Sequence, residues 1–408
     1  MSLRHPSNLL TDASTGEQVT WADLEPLDLP APAAVVVDSS YAALRAVKQH
    51  AETGAEFLVV AAGRMEANLR AELRAAGFNI VDPDGSVEPA SVAREAEPGR
   101  LWLLTSGSTG RPKQIGHTLD SLTTVAGDMA PRTWLCPYSP GTYAWWQVVT
   151  LGLGSEGQDL VVVDPARLDT WVAAGIEYAV SAASGTPTFW RQTTMSQADD
   201  LAKVPLQQVS LGGEPVDQAI LDQLRTFFPD ARISWLYASS EVGASIVVHD
   251  GRAGFPVEWL GREVEGRPRI DVVDGELVIT SPHHGEGLGG PVRTGDAVVV
   301  EDGRVLITGR LDSDEINIGG AKVSAGVVRA VLQAHPAVAW AHVRGRKAPL
   351  VGNLVVADVV LTSGETSAPD VLAELNRWCA ERLPEYGVPR RIKLLAAIPT
   401  KETLKSDV

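Results

Sequence analysis

The stretch Leu103-Leu104-Thr105-Ser106-Gly107-Ser108-Thr109-Gly110-Arg111-Pro112-Lys113 decides how this chain is read. An apolar run of buried-strand length passes directly into small residues from Thr105 to Gly110, and a lysine follows at 113. Glycines let a backbone approach an anion and turn its N–H groups inward, hydroxyls add donors, and the lysine supplies compensating charge. The pattern suits a polyphosphate. It is not the common P-loop, in which Lys-Ser/Thr follows the last glycine, and Pro112 stops a helix from running smoothly through this point. A ligand-free Gly/Ser turn would use the same residue types, so the rest of the chain must decide.

Upstream, residues 34–37 and 57–61 are apolar runs of strand length with a helix-like stretch from Tyr41 to His50 between them. Downstream, Asp159–Val163 and Ile233–Tyr237 read as strands, and Pro215–Phe228 has the spacing of an amphipathic helix. Such alternation predicts parallel sheets covered by helices. From Ile270 the pattern changes to short strands joined at Asp274-Gly275 and Asp302-Gly303, which are hairpin signals. A mixed tail follows, with helices expected near 325–334 and 370–383 and strands near 338–343 and 353–361.

Composition narrows the classes. The 408 residues are 44% hydrophobic with a mean hydropathy near zero, as in a globular protein of two or three domains. No apolar run reaches membrane-spanning length. The opening Met1-Ser2-Leu3-Arg4-His5-Pro6 leads into no signal-peptide core, so a cytoplasmic location is expected. Cys136 and Cys379 are the only cysteines and read as free thiols. A net charge of −16 argues against general affinity for nucleic acid or anionic membranes. Residues 1–312 carry 23 basic against 41 acidic side chains, and residues 313–408 carry 12 against 10. That break falls where a domain boundary is expected, although chance variation in surface charge would explain it as well.

The order Thr-Ser-Gly-Ser-Thr-Gly-x-Pro-Lys resembles the phosphate loop of the adenylate-forming superfamily, which includes acyl- and aryl-CoA ligases, luciferases and peptide-synthetase adenylation domains. Further motifs follow in the same order. Gly212-Gly213-Glu214-Pro215 resembles the turn beside adenine. Tyr237-Ala238-Ser239-Ser240-Glu241 resembles the family's Tyr-Gly-x-Thr-Glu segment. The resemblance implies that Tyr237 stacks on adenine, Ser240 lies near the phosphates and Glu241 holds Mg²⁺. Arg293-Thr294-Gly295-Asp296 resembles the ribose-binding motif, with Asp296 on the hydroxyls. Gly309-Arg310-Leu311-Asp312 implies Arg310 near ribose and phosphate and a hinge at Asp312. Residues 316–323 resemble a loop that swings towards the active site, where Gly320 would leave room for a pantetheine arm. Ile398–Val408 resembles the family's closing Pro-x-x-x-x-Gly-Lys segment, with Lys405 rather than Lys401 as the catalytic lysine and Leu404 where glycine is usual.

The implied fold is α/β (α+β overall). A large domain over 1–311 would hold helix-covered sheets and a small β subdomain at about 255–311. A small mobile α+β domain over 312–408 would close it. The implied chemistry is ATP-dependent conversion of a carboxylic acid to acyl-AMP, then transfer to the thiol of CoA or of phosphopantetheine on an acyl-carrier protein. Transfer to an amine or another nucleophile is an alternative, and so is a degenerate nucleotide-binding regulatory module. Tyr143, Trp145, Trp146, Phe189 and Trp190 are candidates to line the acid pocket for an apolar or aryl group, though such aromatics are more often core. No acidic residue occurs between Pro131 and Leu153, which counts against an α-amino acid. His117 reads as a helix-surface residue, and His283 and His284 as loop residues rather than metal ligands.

Overall fold

The computed structural model describes residues 4–106, 112–125, 127, 129–282, 284–285, 290–348, 352–400 and 404–406. The strand Ala33–Val37 is buried at all five positions and Phe57–Ala61 at four of five. Strands without polar alternation have to be covered on both faces. They pair in parallel with each other, with Asn79–Val81 and with Leu101–Ser106, inside a six-stranded sheet whose two outer pairs are antiparallel. The Ser40–Thr53 helix, capped by Ser39 at its start and Gly54 at its end, covers this sheet.

An eight-stranded sheet lies beside it. Its central strands, among them Arg132–Cys136, Ala182–Gly185, Gln208–Gly212 and Arg232–Ser239, run parallel. The register places Gly185 beside Leu211 and Leu211 beside Trp235. In-register parallel strands release the chain at one common edge, where ligands of open α/β sheets bind. Thr186, Gly213, Glu214 and Tyr237 therefore emerge together. One large apolar cluster joins both sheets and the helices between them.

The two hairpins expected after Ile270 are present as Arg269–Val273 with Glu276–Thr280 and Val292–Glu301 with Arg304–Arg310. Together with Phe255–Pro256 they form a five-stranded antiparallel sheet. Another five-stranded sheet follows from Glu315 onward, packed with the helices Ala325–Gln333 and Pro369–Arg382 around its own apolar cluster. Among the ties that join the latter part to the five-stranded antiparallel sheet, two involve Asp314 and Gly326. Asp314, 7% exposed, accepts from Thr308 Oγ1 at 2.9 Å and from Gly326 N at 2.7 Å. Gly326 also packs so closely on Thr308 that a side chain there would overlap its carbonyl oxygen.

Candidate active site

A cavity of about 820 Å³ lies where the sheets meet the C-terminal segment. Gly213, Glu214 and Pro215 enter it from the Gln208–Gly212 strand, and Tyr237, Ala238, Ser239 and Glu241 from the Arg232–Ser239 strand and the turn beyond. Asp296 and Arg310 come from the antiparallel sheet, Lys113 from the strand Pro112–His117, and Lys405 and Ser406 from the far end of the chain. Residues separated by up to nearly 300 positions thus border one space.

The strand geometry aims the key groups. A register shift between Tyr237 and Ala238 breaks the ladder with Gly243–Val248, and such bulges redirect side chains. The Tyr237 hydroxyl donates to Asp296 Oδ2 at 2.6 Å. Arg310 Nη1 donates to Asp296 Oδ1 at 3.2 Å and to Thr294 O at 2.8 Å. Burial, with the Asp296 carboxylate beside it, pushes the Tyr237 phenol well above its ordinary pKa, so it stays a neutral donor. The turn carrying Asp296 is braced from beneath by Glu276, 6% exposed, which accepts from Gly295 N at 2.8 Å and Arg293 Nε at 2.6 Å.

The opposite wall is built on the helix Pro187–Ser196. Glu214 accepts from Thr188 N at 3.0 Å and Thr188 Oγ1 at 3.1 Å at the start of that helix. It also accepts from Ser406 N at 2.8 Å and Ser406 Oγ at 3.1 Å. Gly213 takes φ +82°, and a β-carbon there would stand 3.2 Å from Lys405 Cε. Glycine both turns the chain and leaves the lysine its path.

Among the described residues, several expected ones do not border the cavity. Gly107, Ser108, Thr109 and Gly110 lie outside the described residues. Thr105 and Ser106 complete the strand before them, with Thr105 paired to Lys113. Ser240 does not border the cavity; its carbonyl is bound by His117 Nε2 at 2.9 Å. Asp312 is exposed on the short helix Leu311–Asp314, and Gly320 lies on the exposed turn between Glu315–Ile318 and Ala321–Ser324. Tyr143, Trp145, Trp146, Phe189 and Trp190 are 0–9% exposed, belong to the main core cluster and do not border the cavity. Helical spacing directs them inward: Trp145 meets Trp146 at 4.9 Å between ring centres, and Trp190 meets Phe189 at 5.2 Å.

The expectation that His117 lies on a helix surface is corrected. This residue ends a strand, is 2% exposed, and spans Ser240 O and Ser121 Oγ, the latter at 3.0 Å. Burial pushes its pKa below the ordinary value, and only the Ser240 carbonyl and the charge of Glu241 pull the other way. A neutral imidazole therefore fixes the turn before Glu241. Sequence reading also missed Arg191, 4% exposed. Its Nη2 binds both oxygens of Asp217 at 2.8 and 2.7 Å, and its Nε binds Ala339 O at 2.9 Å. No local pattern marks an arginine whose partners lie 26 and 148 residues away.

The family pattern of AMP-binding enzymes matches residues 31–288, and that of the AMP-binding enzyme C-terminal domain matches 328–405. The chain belongs to the AMP-binding enzyme family. It is 28% identical over 383 residues to 4-chlorobenzoate–CoA ligase from Arthrobacter sp, covering 84% of this chain and 70% of that protein. It is 27% identical over 426 residues to surfactin synthase subunit 1 from Bacillus subtilis (strain 168), covering 91% of this chain but 12% of that protein. The fold is shared with the anthranilate CoA ligase AuaEII in complex with anthranoyl-AMP, at TM-score 0.78 and 16% identity, over 99% of this chain and 93% of that one. It is shared also with the amide bond synthetase McbA from Marinactinospora thermotolerans, at TM-score 0.72 and 20% identity, over 99% and 96%.

Proposed function

We propose that the protein is an AMP-forming ligase that activates a carboxylic acid with ATP and passes the acyl group to a thiol. The observation that carries this reading is Lys405, which borders the same cavity as Tyr237, Glu241 and Asp296. In the proposed first step a carboxylate oxygen of the acid attacks the α-phosphorus, an acyl-AMP mixed anhydride forms, and pyrophosphate leaves with the electrons of the broken P–O bond. Two anions must be aligned and charge on the phosphorus neutralised, which is positioning and electrostatic work. Tyr237 and the Gly213–Pro215 turn would hold the base, Asp296 and Arg310 the ribose, and Lys113 with the Thr105–Gly110 loop the phosphates. Lys405 would meet the developing charge.

Magnesium on a triphosphate keeps several waters and needs only one or two protein carboxylates. Glu241, at the cavity with its turn fixed by His117, suits that demand and would hold the ion. Bound there, Mg²⁺ would offset phosphate charge.

We place the boundary between the two working parts at Asp312, with 1–311 before it and 312–408 after it. Gly320 is exposed and does not border the cavity, so thiol delivery past it would require the later part to turn. The thiol reading is favoured by the names of the CoA ligases among the relatives; CoA or a carrier-bound phosphopantetheine would be the acceptor. The likeness to an amide bond synthetase favours an amine as the second reading. Two buried free cysteines suit the reducing cytoplasm.

The test is acid-dependent pyrophosphate exchange with ATP across a panel of aryl and aliphatic acids. Exchange with one acid class is expected, followed by thioester on adding CoA. Amide without thioester would select the second reading, and no exchange with any acid, together with no binding of ATP, would sink the proposal.

A further inference from the structure

Leu404 stands at φ +63°, the left-handed region that glycine enters freely and a leucine rarely adopts. Its side chain is nevertheless only 4% exposed, and it belongs to the same apolar cluster as Phe189, Trp190 and Leu211 of the main sheet. Disfavoured backbone persists only where the surroundings over-determine it. Here three interactions do so. The leucine side chain fills a place in the core, Thr186 Oγ1 donates to the Leu404 carbonyl, and the next residue but one, Ser406, is held by Glu214. An isolated antiparallel bridge pairs Ser406 with Thr400.

We propose that Leu404 is a positioning residue: its buried side chain plugs the terminal segment into the main core and so fixes Lys405 in the cavity. This rests on the reading of Lys405 given above. Lys405 is bracketed at both neighbours, by Thr186 on one side and Glu214 on the other, and its course over Gly213 follows from those two anchors. Both anchors meet the start of the Pro187–Ser196 helix: Thr186 caps it through Phe189 N at 3.1 Å, and Glu214 accepts from Thr188 N at 3.0 Å. The same helix grips the C-terminal part further along, through Arg191 on Ala339 O and through Met195 against Trp340, Val360 and Ile398. Withdrawing the lysine therefore means pulling a leucine out of an apolar core into water. Glycine at this position would remove the backbone strain but also the plug. The chain is thereby biased towards the state in which the acyl adenylate is made and kept enclosed, and any later step that needs the lysine withdrawn is slowed.

Hydrogen exchange of the 396–408 peptide in the full chain, without nucleotide, reads the plug directly. Leu404→Ala and Leu404→Gly are expected to raise its exchange by on the order of 10-fold or more, and Leu404→Met to keep it near wild type. The glycine variant, with relaxed backbone, serves where the alanine variant fails to fold. Lys405→Ala should leave the exchange unchanged. In pyrophosphate exchange, Leu404→Ala should lower kcat by about 10-fold while KM for ATP holds, because Tyr237 and Asp296 are untouched, and Leu404→Met should restore kcat. Unchanged tail exchange in both Leu404→Ala and Leu404→Gly overturns the proposal. So does a loosened tail with unaltered kcat while Lys405→Ala abolishes turnover. Full turnover by Lys405→Ala would instead overturn the assignment of the lysine and leave the plug standing.

Discussion

The Tyr237 hydroxyl donates to Asp296 Oδ2 at 2.6 Å, joining two motifs that lie 59 residues apart in the chain. The other oxygen is met by Arg310, so the carboxylate is oriented before any nucleotide arrives. Preorganisation of this kind spares a ligand the ordering of its own partner. Asp296→Ala is expected to weaken ATP binding by roughly 10-fold or more, about 1.4 kcal/mol. Tyr237→Phe keeps the ring and the carboxylate and should weaken it less. Calorimetric titration of both variants with ATP checks the order, and a larger effect for Tyr237→Phe would contradict it.

Lys405→Ala should cost adenylation roughly 10²–10³ in rate, the usual effect of removing one well-placed donor to developing charge. Its thermal unfolding should match that of the wild type, because the anchors on either side, Leu404 and Ser406, remain. Pyrophosphate exchange and a melting curve on the same preparation give both readings.

Arg191→Met should destabilise the protein by about 3 kcal/mol, the range seen when one partner of a buried pair is removed. Asp217 is then left at 18% side-chain exposure without its guanidinium, though it still caps the Gln218–Phe227 helix through Ile220 N at 3.2 Å. Adding Asp217→Asn should recover part of the loss. Urea unfolding of the two single variants and the double variant measures the coupling.

Glu56 makes a pH prediction. Its carboxylate, 0% exposed, accepts from Arg94 at 2.6 and 2.9 Å, from Glu97 N at 2.6 Å and from Trp102 Nε1 at 2.7 Å. Burial alone would push its pKa up, but these donors outweigh burial and hold it below the ordinary value. A group depressed in the folded state stabilises fully above its unfolded pKa, about 4.3, and loses that contribution as pH falls through the folded value. Glu56→Gln should therefore lower the melting temperature at neutral pH and flatten its fall below about pH 4.5. Parallel melting curves with the same acid slope would refute this.

What the chain discloses in sequence follows from the range of the interactions. The strand entering at Leu101, the Asp-Gly hairpins and the strand-end motifs at Gly213 and Tyr237 are local patterns, and each is found in the expected element. Misreadings came where a side chain's direction is set by distant packing. His117 precedes the helix Leu119–Leu122 and looks like part of its surface, yet its strand turns the ring towards Ser240, 123 residues away. Trp145 and Trp190 are likewise turned by their helices into the core. The motif Gly309-Arg310-Leu311-Asp312 singles out Asp312, and nothing local marks Asp314 two residues on. Only the tertiary fold places Asp314 between Thr308 and the first turn of Ala325–Gln333.

That last contact shapes any motion of the C-terminal part. Asp314 clasps it on one side, while Arg191 and the Thr186–Leu404 bond clasp it on the other. A partial tilt would strain one clasp without freeing the other, and it would meet the close contact of Gly326 with Thr308. Any departure from this arrangement would have to release both clasps together, so it should be a cooperative step instead of a continuous drift.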